Sequence, residues 1–232
     1  MQMDSSSQSE ADAARAELQH FVYAASHDLQ EPLRAIVTYS QLLERHLAGD
    51  ETARDYIAYI IGGANRMNAL LRDLLTLSRA GSAQRRAVVK LNVAAQAALL
   101  KLAPTIAEVF AEVKREDLPE VVADEAEITQ LFEHLIGNAL KFRGAAKPEI
   151  AIRSEQGSGE CVISIADNGL GIEPAFQQEV FAAFKRLQGK GVPGSGLGLA
   201  ISNKIVGAHG GRIWIESDGH SGTTVRFTLP DA

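Results

Sequence analysis

The sequence predicts an α + α/β protein: an antiparallel helical hairpin that forms a dimeric four-helix bundle, then an α/β sandwich domain. Three observations predict it. Two long apolar seams at heptad spacing fill the region up to about residue 80. A short glycine-containing connection joins them. Beyond about residue 85, helix-like and strand-like patterns alternate.

Residues 1–12 are polar, lack an apolar signal core, and read as a flexible lead-in or a cut edge. The hairpin is expected over 13–82. Steps of four and three from Leu18 give Val22, Ala25, Leu29, Pro32, Ile36, Tyr39 and Leu43, the seam of a first helix. The connection AGDETAR follows, with an acid and a threonine suited to capping the next helix. The second seam runs Ile57, Ile60, Ala64, Met67, Leu71, Leu74 and Ser78. One hairpin cannot bury both stripes, whereas two hairpins can, so the chain is expected to be a homodimer.

The second domain is expected over 83–232, entered through a linker at about 81–90. RRAVVKLNV is strand-like, and AAQAALLKLAPTIAE is helical, with Pro104 kinking or ending it. DEAEITQLFEHLIGNALKF is a helix with Asp124 as N-cap and Glu127 completing a capping box. EIAIRSE, ECVISIADN, GRIWIESD and GTTVRFTLP alternate as strands do. The sum is a mixed sheet with helices on one face.

Composition narrows the functional classes. The 232 residues carry a net charge of −6 with no basic face, which argues against nucleic-acid binding. Cys161 is the one cysteine, which excludes an internal disulfide and fits the reducing cytoplasm. No apolar run approaches the roughly 20 residues of a membrane span.

The stretch ASHDLQEPL places a histidine, an acid and then a proline inside the first helix. A proline there removes a backbone bond and costs about 3 kcal/mol, so it reads as a deliberate kink. With the seam at a and d, His27 falls at f, the most solvent-facing position, as does His20 one heptad earlier. Spacing alone leaves His27 either an exposed histidine without a role or a nucleophile. Asp28 beside it is either a solvated carboxylate or the acceptor of its ring proton.

Three further stretches carry chemistry. Asn138 and Lys141 lie three apart on one helix face. An amide oxygen suits Mg2+ and a lysine suits phosphate; a surface or capping asparagine explains the same residue equally well. Asp167 closes a strand before Gly169 and Gly171. An acid there can accept from an exocyclic amine while glycines let a flat ring approach; a simple turn explains the same residues. Gly194, Gly196 and Gly198 open an apolar helix, whose N–H groups suit phosphate. GxxxxGK[ST], a strand-following GxGxxG, GxSxG, HExxH and CxxC are all absent.

Taken together, in order and spacing, these stretches resemble the core of a bacterial two-component sensor histidine kinase over about residues 15–230. ASHDLQEPLRA resembles the phosphoacceptor H-box, HLIGNALKF the N-box and DNGLGI the G1 box. FAAFKRL resembles the F-box and GSGLGLA the G2 box. The HDLQEPL variant looks most like kinases joined to phytochrome-type or PAS-type sensors. The resemblance implies a gyrase/Hsp90-type ATP-binding sandwich behind the dimeric hairpin. It implies that His27 attacks the γ-phosphate of ATP, with Asp28 as base or orienting acid. Asn138 would hold Mg2+ and Lys141 would touch the phosphates. Asp167 would recognise the adenine amine, with Gly169 and Gly171 shaping its pocket. Gly194, Gly196 and Gly198 would line the phosphate side. Residues 174–193 would form a flexible lid anchored by Phe181 and Phe184, with Arg186 reaching a phosphate. The phosphoryl group would pass to an aspartate of a response regulator, and a sensor domain would precede this segment. The linker would act as a hinge bringing the ATP domain to His27. Two positions depart from the family pattern. His134 stands where the N-box often has a second asparagine, either as a polar ligand or as a tolerated replacement. Glu31 stands where phosphatase-competent members usually carry threonine or asparagine.

Overall fold

Heptad patterning in the first part of the chain and alternation in the second lead to two separate compact units, divided between Arg79 and Ala80. The structure is a computed structural model and describes residues 29–30, 33–47, 49–80, 86–157, 159–187 and 195–231. His27, Asp28, Glu31, Pro32 and Gly194 lie outside the described residues, as do the lead-in and the seam positions before Leu29.

In the first unit, α1 is helical at 29–30 and 33–46, and α2 spans Glu51–Arg79. Of the two candidate caps between them, the acid does the work. The Asp50 carboxylate accepts the Ala53 N–H at 3.0 Å, which starts α2. Leu33, Ser40, Ile57 and Ala64 are buried within this unit. Seam residues Ile36, Tyr39, Leu43, Ile60 and Met67 are exposed in the single chain, from 43% at Ile36 to 67% at Tyr39.

In the second unit, β1 (Ala87–Lys90) runs directly into α3 (Leu91–Glu108), then β2 (Glu112–Arg115), β3 (Glu120–Ala123) and α4 (Glu125–Lys141). β4 (Glu149–Gln156), β5 (Glu160–Asp167), α5 (Gly198–Ala208), β6 (Ile213–Glu216) and β7 (Thr223–Pro230) complete it. The main sheet has the order β2-β4-β5-β7-β6, parallel only between β2 and β4, and β1 pairs with β3 apart from it. Residues facing the helices alternate as a half-covered sheet requires: Ile150 and Ile152, Cys161, Ile163 and Ile165, and Val225, Phe227 and Leu229 are buried. Phe132 of α4 meets Phe227 of β7 edge to face, with centroids 6.1 Å apart. Cys161 belongs to this core, and burial pushes its thiol up to about 11.

Two local expectations are corrected. Pro104 does not end α3, which continues to Glu108. Asp124 does cap α4, accepting from Ala126 N at 3.0 Å and Glu127 N at 3.1 Å, but the reciprocal half of the box is not made. The Asp124 N–H donates instead to Nε2 of His209 at 3.1 Å. Strands β2 and β3 were not among the expected elements; each is only four residues long.

Candidate functional site

α4 supplies the spine of the site. His134, Asn138 and Lys141 follow one another at steps of four and three, so they share a face. Each is partly exposed, and the Lys141 ammonium lies 4.6 Å from the centre of the Phe142 ring. The backbone of Phe142 closes the helix, its N–H donating to Asn138 O at 2.9 Å. Its own carbonyl accepts the Leu170 N–H at 3.0 Å, which ties the turn after β5 to the end of α4.

That turn presents Asp167. Its Oδ1 accepts the N–H of Gly169 at 2.8 Å and of Thr223 at 3.2 Å. Burial raises the carboxyl above the ordinary aspartate value, and these two N–H groups partly oppose the rise. Gly169 is required by close approach: a Cβ there would fall 2.5 Å from Phe142 O and 2.8 Å from Asp167 Oδ1. Gly171 has φ 76°, and a Cβ would sit 2.6 Å from the backbone of Gly219 and His220. Asn168 fastens the turn to the start of β4, accepting from Glu149 N and donating to Lys147 O, each at 2.9 Å. Ser217 joins the turn to the β6–β7 loop. Its hydroxyl accepts the Ile172 N–H at 2.9 Å and donates to Gly222 O at 2.6 Å. A turn does explain the glycines, then, but one that leaves a half-buried carboxylate at its base.

The third part is the start of α5. Ser195 Oγ accepts the Leu197 N–H at 3.1 Å, Leu197 is fully buried, and no side chain caps the helix. Gly198, the first residue of α5, faces α4: a Cβ there would lie 3.4 Å from His134 Nδ1 and 3.9 Å from Asn138 Nδ2. Gly196 has φ 75° and its carbonyl accepts the Phe184 N–H at 3.1 Å. The backbone of the F-box stretch therefore meets the glycine stretch. In this segment the buried anchor is Val180; Phe181 is half-buried, and Phe184, with φ 63°, is 59% exposed. Arg186 is exposed beside it, its Cγ 3.1 Å from where a Gly196 Cβ would stand.

The structure thus brings Asn138, Lys141, Asp167, Gly169 and Gly171 onto or beside the end of α4, sets Gly198 opposite His134 and Asn138, and sets Gly196 against the Phe184–Arg186 stretch. Thr223, Ser217 and His209 contribute contacts that sequence reasoning passed over. Thr223 and Ser217 act through their neighbours in space, and His209 offered a single histidine in a helix-to-strand corner with no partner in sequence. Asn138 offers an amide oxygen, a hard donor of the kind that suits Mg2+, a cation that keeps several waters. Gly198, which has no side chain, lets the backbone at the start of α5 come close to His134 and Asn138.

The chain is similar to known proteins in sequence and in fold. Residues 123–232 match the family described as histidine kinase-, DNA gyrase B- and HSP90-like ATPase, and residues 17–83 match the His Kinase A (phospho-acceptor) domain. Cyanobacterial phytochrome A from Nostoc sp. is 40% identical over 221 residues, which is 94% of this chain and 29% of that protein. Phytochrome-like protein Cph1 from Synechocystis sp. is 37% identical over 94% of this chain and 30% of its own length. The chain therefore spans about 30% of the length of these relatives. Among solved structures, full-length ShkA in complex with AMPPNP aligns with a TM-score of 0.72 at 25% identity, covering 92% of this chain and 46% of that one. ThkA in complex with the response regulator protein TrrA aligns with a TM-score of 0.66 at 24% identity, covering 97% of this chain and 66% of that one, a likeness of fold.

Proposed function

The chain belongs to the sensor histidine kinase family, and from that premise we propose that it is an ATP-dependent protein histidine kinase core that phosphorylates its own His27. The observation that carries this reading is the opposition of Gly198, at the uncapped start of α5, to Asn138 on α4, with the half-buried Asp167 carboxylate beside the end of the same α4. One end of the site suits an amine on a flat ring, and the other suits phosphates.

In this reading the adenine amine donates to Asp167, whose Oδ1 is already turned toward Gly169 and Thr223. The N–H groups at the start of α5 and the ammonium of Lys141 draw the phosphates. Asn138 holds Mg2+, which when bound neutralises charge on the phosphate oxygens. A nitrogen of His27 attacks the γ-phosphorus, the bond from that phosphorus to the β–γ bridging oxygen breaks, and ADP leaves. Asp28 orients the imidazole and takes up its proton. Phosphoryl transfer needs positioning and charge neutralisation above all, and the second unit supplies both while the first supplies the nucleophile.

The phosphoryl group then passes to an aspartate on a response regulator. The chain works as a homodimer, its remaining apolar seam covered by a second copy. A sensor domain outside this segment sets the input, and the site of action is the cytoplasm. No helix among the described residues is long and apolar enough to cross a membrane. Incubation with γ-labelled ATP and Mg2+ beside a His27→Ala variant tests the reading. Acid-labile, alkali-stable label in the parent alone is expected. Label retained in His27→Ala would move the acceptor elsewhere, and no label despite bound nucleotide would make the chain a silent binding module.

A further inference from the structure

We infer that His209 is a positioning residue for the nucleotide site: it joins the far ends of α4 and α5 and thereby sets the gap between their near ends. The inference rests on the nucleotide-site reading above and adds to it a residue outside the site.

His209 is the C-cap of α5 and is only 3% exposed. Its Nε2 accepts the Asp124 N–H at 3.1 Å, and its Nδ1 lies 2.8 Å from Ile205 O. A nitrogen that accepts an N–H cannot itself carry a proton, so the ring is neutral and Nδ1–H donates to the Ile205 carbonyl. Asp124 is in turn the N-cap of α4, its carboxylate occupied with Ala126 and Glu127. One imidazole therefore links the last turn of α5 to the first turn of α4. The Glu127 carboxylate stands 3.8 Å from Nδ1, on the α4 side. On the α5 side the Arg86 guanidinium donates to the Ala208 carbonyl, so this helix end is held twice.

The two helices run in opposite directions, and the other end of the pair is the candidate site. There Gly198 faces His134 and Asn138 with no side chain of its own to fill the space. Between the ends, α5 rests on apolar contacts through buried Ile201, Ile205 and Val206. Apolar contact is not directional and permits sliding and rotation. A hydrogen bond with a fixed angle does not. α5 is 11 residues long, about 16 Å at 1.5 Å per residue, so a small rotation at His209 becomes a change of width at Gly198. The phosphate end of the site would feel this. The Asp167 end would not, because it is built on β5, Thr223 and the end of α4.

The experiment measures binding of adenosine and of AMPPNP with Mg2+ by calorimetry to the full chain, its His209→Leu variant and its His209→Gln variant. Thermal midpoints without ligand are recorded for each. In His209→Leu, affinity for AMPPNP is expected to fall about tenfold with adenosine binding unchanged. His209→Gln, whose amide both accepts and donates, is expected to recover most of it. Equal weakening of both ligands, or unchanged AMPPNP binding in a folded His209→Leu, would overturn the inference. Should His209→Leu fail to melt cooperatively, His209→Asn, too short to reach Asp124, is read in the same way. Loss of folding in both would assign the ring to stability alone and overturn the positioning role. A parent chain that binds neither ligand would overturn the nucleotide-site reading, and this inference with it.

Discussion

Asp167 has exchanged most of its water for two N–H donors, and that exchange makes a chemical claim. Burial favours the neutral acid, while Gly169 and Thr223 favour the charged one, and burial is the larger effect. Folding therefore raises this pKa. The stability that Asp167 contributes is fully present below its unfolded pKa and is lost as pH rises through the folded value. Asp167→Asn cannot lose a proton, so without nucleotide its melting midpoint should fall less than the parent's across that window. The same substitution places an NH2 group among donors and should weaken AMPPNP binding roughly a hundredfold. Unchanged affinity in calorimetry would remove Asp167 from the site. The acid was legible in the sequence because it ends an alternating strand and precedes two glycines. Thr223, which holds it, is 56 residues away and was not legible.

At the scale of an element, α4 shows how far local rules reach. Asp124 was readable as a cap from its place before an amphipathic run, and the cap forms. Asp124→Ala should destabilise the second unit by about 1 kcal/mol, read as a lower denaturant midpoint with an unchanged slope. A cost near zero would mean that water replaces the carboxylate. Glu127 was equally readable as the other half of the box, yet His209 takes the N–H. Sequence spacing ranks the local partner first, and tertiary packing supplied a competitor 85 residues on. Strands β2 and β3 escaped for a similar reason. EVKR and EVVA are too short to show a period, and they become strands by pairing, β2 with β4 and β3 with β1. Pro104 was read as a break or a kink. The helix nonetheless continues past it to Glu108, although its buried residues, Leu91, Ala94, Ala95 and Ala98, all precede the proline.

At the scale of the whole molecule, the first unit carries the clearest demand for a partner. Ile36, Tyr39, Leu43, Ile60 and Met67 are 43%, 67%, 53%, 48% and 47% exposed in the single chain. Leaving such a stripe in water forfeits the burial that stabilises a helical hairpin. Sedimentation should give twice the chain mass of 24.9 kDa, and Ile36→Glu with Leu43→Glu should give the single mass. A parent that sediments as a monomer would sink the dimer proposal.

By itself the sequence determined the two-part order of the chain, the seams, the strands long enough to alternate, and the residues with the right chemistry for a nucleotide. These are properties of period and residue type, which neighbours in the chain suffice to express. Only the tertiary structure decided that Gly198 stands against His134 and Asn138, that Thr223 holds Asp167, and that His209 takes the Asp124 N–H. Those contacts join residues 56 to 85 positions apart in the two hydrogen-bonded cases, and no local pattern encodes which of several distant donors or acceptors will arrive first. Their frame is the packing of the helices on the sheet, which no local pattern specifies.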